Sequence, residues 1–151
     1  MNFLGYRRTN GTVGIRNHIL ILATVNCASE VAYRTAQNLL GAVSFVNPNG
    51  CGEASQNLKH TQRVLLGMAA NPNVYGVVVI GLGCEINKPK EFMRLLRERT
   101  DKPAECVVIQ EEGGTLNAIA KATRIAADMI SEASRCIREE CSCLLYTSDA
   151  A

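Results

Sequence analysis

Residues 74–82 read Val-Tyr-Gly-Val-Val-Val-Ile-Gly-Leu and form the most apolar stretch of the chain. A run of β-branched residues of this length predicts a strand that is covered on both faces, as in the centre of a parallel sheet. Shorter runs of the same kind occupy residues 18–25, 42–46 and 105–110. The sequence therefore predicts four strands, with residues 74–82 at a central position.

Each predicted strand is followed by a segment whose apolar residues recur at helical spacing. These segments are residues 29–40, 54–70, 89–99 and 115–137. Because crossovers between parallel strands are right-handed, four such units predict an α/β fold. We expect a doubly wound, mainly parallel four-stranded sheet with helices on both faces, Rossmann-like or flavodoxin-like in shape.

Composition narrows the class of protein further. The 151 residues, 47% of them hydrophobic, suffice for one domain with a sizeable core. A net charge of +2, spread along the chain, gives no support for a nucleic acid or membrane partner. The chain has neither a membrane-spanning apolar stretch nor a signal peptide, so we expect a cytoplasmic protein. Its seven cysteines are then expected to be reduced thiols.

The end of the chain does not follow the α/β pattern. Residues 141–151 read Cys-Ser-Cys-Leu-Leu-Tyr-Thr-Ser-Asp-Ala-Ala, which resembles translated adaptor or vector sequence. We therefore interpret residues 1–138 as the α/β domain and residues 139–151 as a non-native tail. Cys141 and Cys143 are left out of the functional prediction for this reason.

Three cysteines, Cys27, Cys51 and Cys84, follow predicted strands by only a few residues. The carboxyl ends of neighbouring parallel strands meet at one edge, where open α/β sheets bind ligands, so we expect the three thiols to share that edge. Thiolates in such turns suit iron or another borderline-soft metal. The alternative is that the cysteines fill the core as small hydrophobic residues, which is our interpretation of Cys106 and Cys136.

Charged and polar residues near the predicted strands are further candidates. Glu85 follows Cys84 directly and could act as a metal ligand or general base, or could be a solvated loop carboxylate. Arg16 and Asn17 precede the first strand, within residues 5–17, which we expect to form a loop. Arg16 could bind a substrate carboxylate through two parallel hydrogen bonds, or could anchor this loop on the sheet.

Several short motifs, in order along the chain, carry a family resemblance. They are Phe-Leu-Gly-Tyr-Arg-Arg at 3–8, Asn-Gly-Thr-Val-Gly-Ile-Arg-Asn at 10–17, Thr-Val-Asn-Cys at 24–27, Asn-Gly-Cys-Gly at 49–52, Asn-Pro-Asn-Val at 71–74 and Gly-Leu-Gly-Cys-Glu at 81–85. Together they resemble the altronate/galactarate dehydratase family, which also includes the large subunit of sulfolactate sulfo-lyase. The resemblance covers residues 3 to about 130.

The resemblance implies a metal-dependent hydro-lyase that dehydrates a sugar acid, such as altronate or galactarate, to a 2-keto-3-deoxy acid. The implied metal is divalent, usually iron(II), with an iron–sulfur cluster as the other form. The site residues that the resemblance implies are the metal-binding or site-lining Cys27, Cys51 and Cys84, the catalytic carboxylate Glu85, the substrate-binding or loop-positioning Arg16 and Asn17, and the substrate-binding Asn26 and Asn49. A sulfo-lyase, from which sulfite leaves in place of water, and a non-catalytic ligand-binding domain are the alternatives.

The chain departs from the family pattern in two respects. Many relatives carry a histidine four residues before the second cysteine, where this chain has Asn47, a poor metal ligand. Relatives also continue into a further catalytic half, so we expect this chain to be the N-terminal portion of a longer dehydratase, which could be inactive alone. The expected partners are that C-terminal half or a small partner subunit, and further copies of the chain in a homo-oligomer.

Overall fold

The structure is a computed structural model that describes residues 1–144. In chain order its elements are β1 (Asn2–Arg7), β2 (Val13–Gly14), β3 (His18–Ala23), α1 (Ser29–Gln37), β4 (Ala42–Phe45), α2 (Ser55–Ala70), β5 (Val74–Gly81), α3 (Pro89–Arg99), β6 (Ala104–Val108), α4 (Thr115–Ala133) and β7 (Glu139–Ser142). A short 3-10 turn, Asn26–Ala28, precedes α1.

A four-stranded parallel sheet with the strand order β4-β3-β5-β6 forms the centre of the fold. The chain runs outward from β3 to β4 on one side and from β5 to β6 on the other. The boundary between β3 and β5 is therefore the point at which the strand order reverses, where sheets of this kind open a ligand-binding crevice. The predicted α/β class and parallel four-stranded sheet are confirmed.

Two apolar cores lie on opposite faces of the sheet because successive side chains of a strand point to opposite faces. Ile19 and Ile21 of β3 pack with α1 and α4. Leu20 and Leu22 pack with α2 and α3, where Phe92 is fully buried. Burying one such aliphatic or aromatic side chain contributes about 1.5–3 kcal/mol, so both faces of β3 stabilise the fold.

The elements end slightly earlier than the sequence predicts. Helix α1 stops at Gln37 instead of residue 40, and α4 stops at Ala133 instead of residue 137. Beyond both ends the backbone closes into tighter turns with hydrogen bonds to the third residue back, as from Leu39 N–H to the Ala36 carbonyl. The ends of β3, β5 and β6 fall one or two residues short because the following residues leave the sheet to form loops.

The prediction that residues 5–17 form a loop is wrong. Strands β1 and β2 pair antiparallel there, with Tyr6 opposite Gly14. The turn between them contains Asn10 and Gly11, and Gly11 has a φ of 82°. The Asn10 Oδ1 atom accepts a 3.1 Å hydrogen bond from Thr12 N–H, which stabilises the turn. An Asn-Gly pair between extended residues is a recognised hairpin signal.

The segment that begins the predicted tail is also ordered into a strand. β7 pairs antiparallel with β1, and Phe3 lies opposite Cys141. This three-stranded sheet, of order β2-β1-β7, is separate from the parallel sheet. The non-native origin of residues 139–151 stays a prediction, and its part at 145–151 lies outside the described residues. None of the helices within residues 1–144 is both long enough and apolar enough to cross a membrane.

Candidate active site at the carboxyl edge of the sheet

The three candidate cysteines lie on neighbouring loops. Cys27 is in the 3-10 turn after β3, Cys51 is in the loop after β4, and Cys84 is in the loop after β5. All three are exposed. Since β3 lies between β4 and β5, the structure places these thiols on the same carboxyl edge, with the Cys27 loop in the middle. None of the three is a core-filling residue.

A shared edge is not by itself a metal centre. Thiolates are suitable ligands for iron or zinc. Within residues 1–144, however, no group of three or more His, Cys, Asp or Glu side chains lies close enough together to hold a metal ion. Cys27, Cys51 and Cys84 therefore have the right donor chemistry but not the spacing of a complete site. The described part of the chain does not fit a metal ion on its own.

Beneath the cysteines, a buried carboxylate organises the loop after β5. Glu85 is only 2% exposed. Its Oε1 atom accepts 2.9 Å hydrogen bonds from the Thr24 hydroxyl and from Leu82 N–H. Its Oε2 atom accepts a 2.5 Å hydrogen bond from Gly83 N–H. Both oxygens thus hold the turn that presents Cys84, and the alternative of a solvated loop carboxylate is wrong.

Asn47 extends this network to the loop after β4. Its side-chain amide donates a 3.0 Å hydrogen bond to the Thr24 carbonyl, and its Oδ1 atom accepts a 3.1 Å bond from Asn49 N–H. The Asn47 carbonyl accepts a 3.3 Å bond from the Ser29 hydroxyl at the start of α1. Asn47 is buried, and a buried amide that satisfies its neighbours in this way fixes the loop geometry.

A close backbone approach also locks the Cys51 loop against the Cys27 loop. Asn26 N–H donates a 2.9 Å hydrogen bond to the Asn49 carbonyl. Next to this contact, Gly50 has a φ of 105°, and a Cβ atom there would lie 2.8 Å from the Thr24 carbonyl oxygen. The side chains of Asn26 and Asn49, both predicted to contact substrate, are exposed at this junction. The structure thus brings these two residues together with the three cysteines.

Arg16 and Asn17 lie at the opposite edge of the sheet. They precede His18, the first residue of β3, so the length of that strand separates them from Cys27 by roughly 20 Å. Asn17 donates a 2.8 Å hydrogen bond to the Ala133 carbonyl and accepts one of 2.8 Å from Arg8. The structure does not bring these two residues to the cysteine edge. The contacts of Asn17 agree with the second alternative, in which these residues position the loop and do not bind substrate.

The Arg16 segment is fixed through its backbone. Ile15 N–H and Arg16 N–H donate bonds of 2.9 Å and 3.0 Å to the Asn73 Oδ1 atom, and the Arg16 carbonyl accepts a bond of 3.1 Å from Arg8. The Arg16 side chain itself is exposed. This segment therefore connects the N-terminal hairpin to the loop before β5.

Cys106 differs from the edge cysteines. It lies in β6 and packs partly buried against the core that Phe92 occupies. Burial, reinforced by the nearby carboxylate of Glu111, raises the pKa of this thiol to about 11. The core interpretation of Cys106 is confirmed. The same interpretation of Cys136 is wrong, because Cys136 follows the end of α4 and belongs to neither apolar core.

Sequence reasoning missed Thr24 and Asn47 as site residues. Thr24 lies near the end of an apolar run, where it reads as an ordinary strand residue, and Asn47 reads as a turn former before Pro48 and as a poor metal ligand in the place of a family histidine. The available signal was that both are polar and close to the ends of predicted strands. Thr24 opens the motif that contains Cys27, and Asn47 precedes the motif that contains Cys51. Thr24 contacts both Asn47 and Glu85, and these contacts join residues far apart in sequence.

Together, the fold and this edge define a doubly wound α/β domain with a candidate active site at the strand-order reversal. A family model described as D-galactarate dehydratase/altronate hydrolase, second domain, matches residues 5–134. The chain belongs to this family and corresponds to its second domain. The resemblance of the sequence motifs is confirmed.

Curated relatives point to the same family. The chain is 38% identical over 139 residues to (2R)-sulfolactate sulfo-lyase subunit beta of Chromohalobacter salexigens, covering 92% of this chain and 35% of that protein. It is 31% identical to the altronate dehydratases of Escherichia coli and Bacillus subtilis, over 75% and 64% of this chain. It spans 25% and 21% of those two proteins. No solved structure matches the chain significantly.

Proposed function

We propose that the chain is the second domain of a longer lyase that eliminates water from a sugar acid such as altronate or galactarate. The observation that carries this proposal is the buried Asn47–Thr24–Glu85 network, which holds three thiol-bearing loops at the strand-order reversal. Within a family of dehydratases, a rigid polar edge of this kind is suited to substrate binding. The chain spans 35%, 25% and 21% of the curated relatives it matches, which supports the proposal that it is part of a longer enzyme.

The reaction begins with removal of the proton on the carbon next to the carboxylate. The electron pair left on that carbon spreads onto the carboxylate, and the hydroxyl group on the following carbon then leaves with a proton as water. The resulting enol becomes the 2-keto-3-deoxy acid. Negative charge accumulates on the carboxylate in this sequence, so fixed cations near it lower the barrier.

For Glu85, we propose a positioning role. Its two oxygens already accept three hydrogen bonds from Thr24, Leu82 and Gly83, and it is 2% exposed. A general base must come within hydrogen-bonding reach of the substrate proton. Glu85 instead fixes the loop that carries Cys84, and the base that removes the proton comes from elsewhere in the enzyme.

The proposal includes iron(II), whose remaining ligands would come from other parts of the longer protein. Cys27, Cys51 and Cys84 supply suitable donor atoms, but no complete ligand set exists within residues 1–144. We propose that another part of the longer enzyme, or a partner subunit, completes the metal site. Such a metal would supply Lewis acidity to the elimination.

A sulfo-lyase is the second candidate function. The specific observation in its favour is the 38% identity to a sulfolactate sulfo-lyase subunit, compared with 31% to the altronate dehydratases. The elimination is the same except that sulfite leaves in place of water. A relative named as a subunit beta also supports a partner subunit for this chain.

A chimera tests both candidates. Residues 5–134 would replace the matching region of the E. coli altronate dehydratase, and the protein would be purified without oxygen and supplied with iron(II). We expect the chimera to convert altronate or galactarate to a 2-keto-3-deoxy acid, measured by proton NMR. Release of sulfite from sulfolactate by the matching chimera in the sulfo-lyase subunit would favour the second candidate.

Two further samples make this test specific. Cys27→Ala/Cys51→Ala/Cys84→Ala should abolish turnover and reduce bound iron, whereas Cys136→Ala, which lies away from the carboxyl edge, should change neither. The chain alone should bind less than one iron per molecule. Folded chimeras, judged by circular dichroism, that act on none of the three acids would contradict the proposed function.

A further inference from the structure

A cavity of about 490 Å³ opens beside the Cys84 loop. It lies between Gly83 after β5, the start of α3, and Glu111 after β6. Its volume falls within the range of small-molecule sites, which is about 300–1,000 Å³. Because Gly83 forms part of its wall and Cys84 follows Gly83 in sequence, the cavity adjoins the candidate active site.

Cations line this cavity. Lys88, Lys90 and Arg94 contribute three positive charges to its wall, and Glu91 and Glu111 contribute two negative charges. Arg94 is engaged by two carboxylates of its own helix, Glu91 and Glu98. Its charge is therefore compensated within α3.

The two lysines differ from Arg94 in this respect. Lys88 is exposed, and its ammonium has no carboxylate partner within residues 1–144. Lys90 Nζ lies 3.1 Å from Glu111 Oε1, and these two side chains are 83% and 58% exposed. An exposed ion pair of this kind contributes only about 0–1 kcal/mol, so another anion can replace Glu111 at small cost.

We propose that this cavity binds the substrate carboxylate, with Lys88 supplying an uncompensated charge and Lys90 exchanging Glu111 for the incoming anion. The proposal rests on the proposed function, since it identifies where the acid group of the substrate lies. The carboxylate is the group on which charge accumulates during elimination, and two ammonium groups beside it would stabilise that charge. Altronate, galactarate and sulfolactate all carry this group.

The test is an NMR titration of the ¹⁵N-labelled chain with altronate. Altritol, which has the same carbon number but no carboxylate, is the control ligand. We expect altronate to shift the amide signals of Gly83, Lys88, Lys90 and Glu111, and altritol to leave them unchanged. Because every residue of the cavity belongs to this chain, the isolated chain must bind, and absence of these shifts would overturn the proposal.

Three variants separate direct binding from a general charge effect. Lys88→Gln should weaken altronate binding by about threefold to fivefold, as expected for an exposed charge pair. Lys59→Gln, at an exposed position of α2, removes the same charge outside the cavity and should leave the affinity unchanged. Glu111→Gln should strengthen binding by about twofold, because it removes the competing carboxylate from Lys90.

The direction of the Glu111→Gln effect is the sharpest part of this test. Weaker binding in that variant would overturn the exchange mechanism, and equal weakening in the Lys88→Gln and Lys59→Gln variants would overturn the site. All three positions are exposed, so folding is expected to survive each change and circular dichroism checks it.

The chimera distinguishes failure of the site from failure of the proposed function. Dehydration of altronate with an unchanged KM in the Lys88→Gln chimera would overturn the site and leave the function in place. Specific altronate binding in the cavity, with no lyase activity in any folded chimera, would support the site and contradict the function.

Discussion

The Thr24 hydroxyl donates a 2.9 Å hydrogen bond to Glu85 Oε1 and thereby joins the loops that follow β3 and β5, the two central strands of the parallel sheet. The crevice of an open α/β sheet begins between these two loops. Here a buried polar contact links the two loops, and the exposed Cys27 and Cys84 lie on them. The contact therefore fixes the positions of these two loops relative to each other.

Thr24→Val tests the contribution of this contact. Valine has nearly the same shape but no hydroxyl, so Glu85 Oε1 loses one of its two donors. We expect the free energy of unfolding to fall by about 1–3 kcal/mol, as for other buried groups that lose a hydrogen-bond partner. Urea unfolding followed by circular dichroism measures the change.

Thr35→Val is the matched control for this experiment. Thr35 is also fully buried, but its hydroxyl has no hydrogen-bond partner within the described residues. Its replacement should be neutral or stabilising, because an unsatisfied buried hydroxyl is removed. Equal losses in the two variants would mean that the Thr24–Glu85 bond contributes nothing specific.

Gly50 and Gly52 provide a second matched pair, in the Cys51 loop. Both have a positive φ, 105° and 74°, so alanine at either position should cost about 1–2 kcal/mol of backbone strain. A Cβ at Gly50 would also lie 2.8 Å from the Thr24 carbonyl oxygen, whereas nothing lies within 4 Å at Gly52. Gly50→Ala should therefore destabilise the fold by about 1–3 kcal/mol more than Gly52→Ala in thermal unfolding.

Similar melting temperatures for the two glycine variants would show that the close approach of the loops after β3 and β4 does not constrain this edge. If Gly52→Ala were the more damaging change, the packing of the Cys51 loop would differ from the contacts described above.

The parallel sheet could be predicted because its signals are local. Residues 74–82 are apolar enough to identify a central strand, and each strand is followed by a helix of ordinary length. The common edge of the three cysteines follows directly from this topology. The antiparallel hairpin was missed because its strands are short and partly polar, although Asn10-Gly11 marks the turn.

The network at the edge could not be predicted from the sequence. The Thr24–Glu85 bond spans 61 positions and the Asn47–Thr24 bond spans 23, so neither contact leaves a spacing pattern. The position of Arg16 and Asn17, in contrast, could have been predicted from the sequence. Residues that precede a parallel strand lie at its amino end, whereas the three cysteines follow the carboxyl ends of their strands. A resemblance to a family assigns residues to a function without placing them on the same edge.

Asn17 and Arg16 should respond differently to replacement by alanine. Asn17 joins Arg8 to the Ala133 carbonyl at the end of α4, so its loss should destabilise the fold by about 1–2 kcal/mol. The exposed Arg16 side chain should change the free energy of unfolding by less than about 0.5 kcal/mol. Neither variant should alter altronate binding by the isolated chain, since both residues lie at the amino edge. Weaker altronate binding by the Arg16→Ala variant would instead support the prediction that Arg16 contacts the substrate.

Thiol reactivity gives a further prediction, because exposure and pKa separate Cys106 from the edge cysteines. Cys27, Cys51 and Cys84 are exposed and should react with iodoacetamide first. Burial raises the pKa of Cys106 from 9.0 to about 11, so its thiolate at pH 8 is about a hundredfold scarcer than in the unfolded chain. Mass spectrometry of timed samples, with and without urea, measures both rates. Early labelling of Cys106 in the folded chain would contradict its place in the core.

The raised pKa of Cys106 also predicts how the free energy of unfolding depends on pH. Because the folded state retains the thiol proton to a higher pH than the unfolded state, the free energy of unfolding should fall as pH rises from 9.0 to about 11. Replacement of Cys106 by alanine should remove that part of the pH dependence.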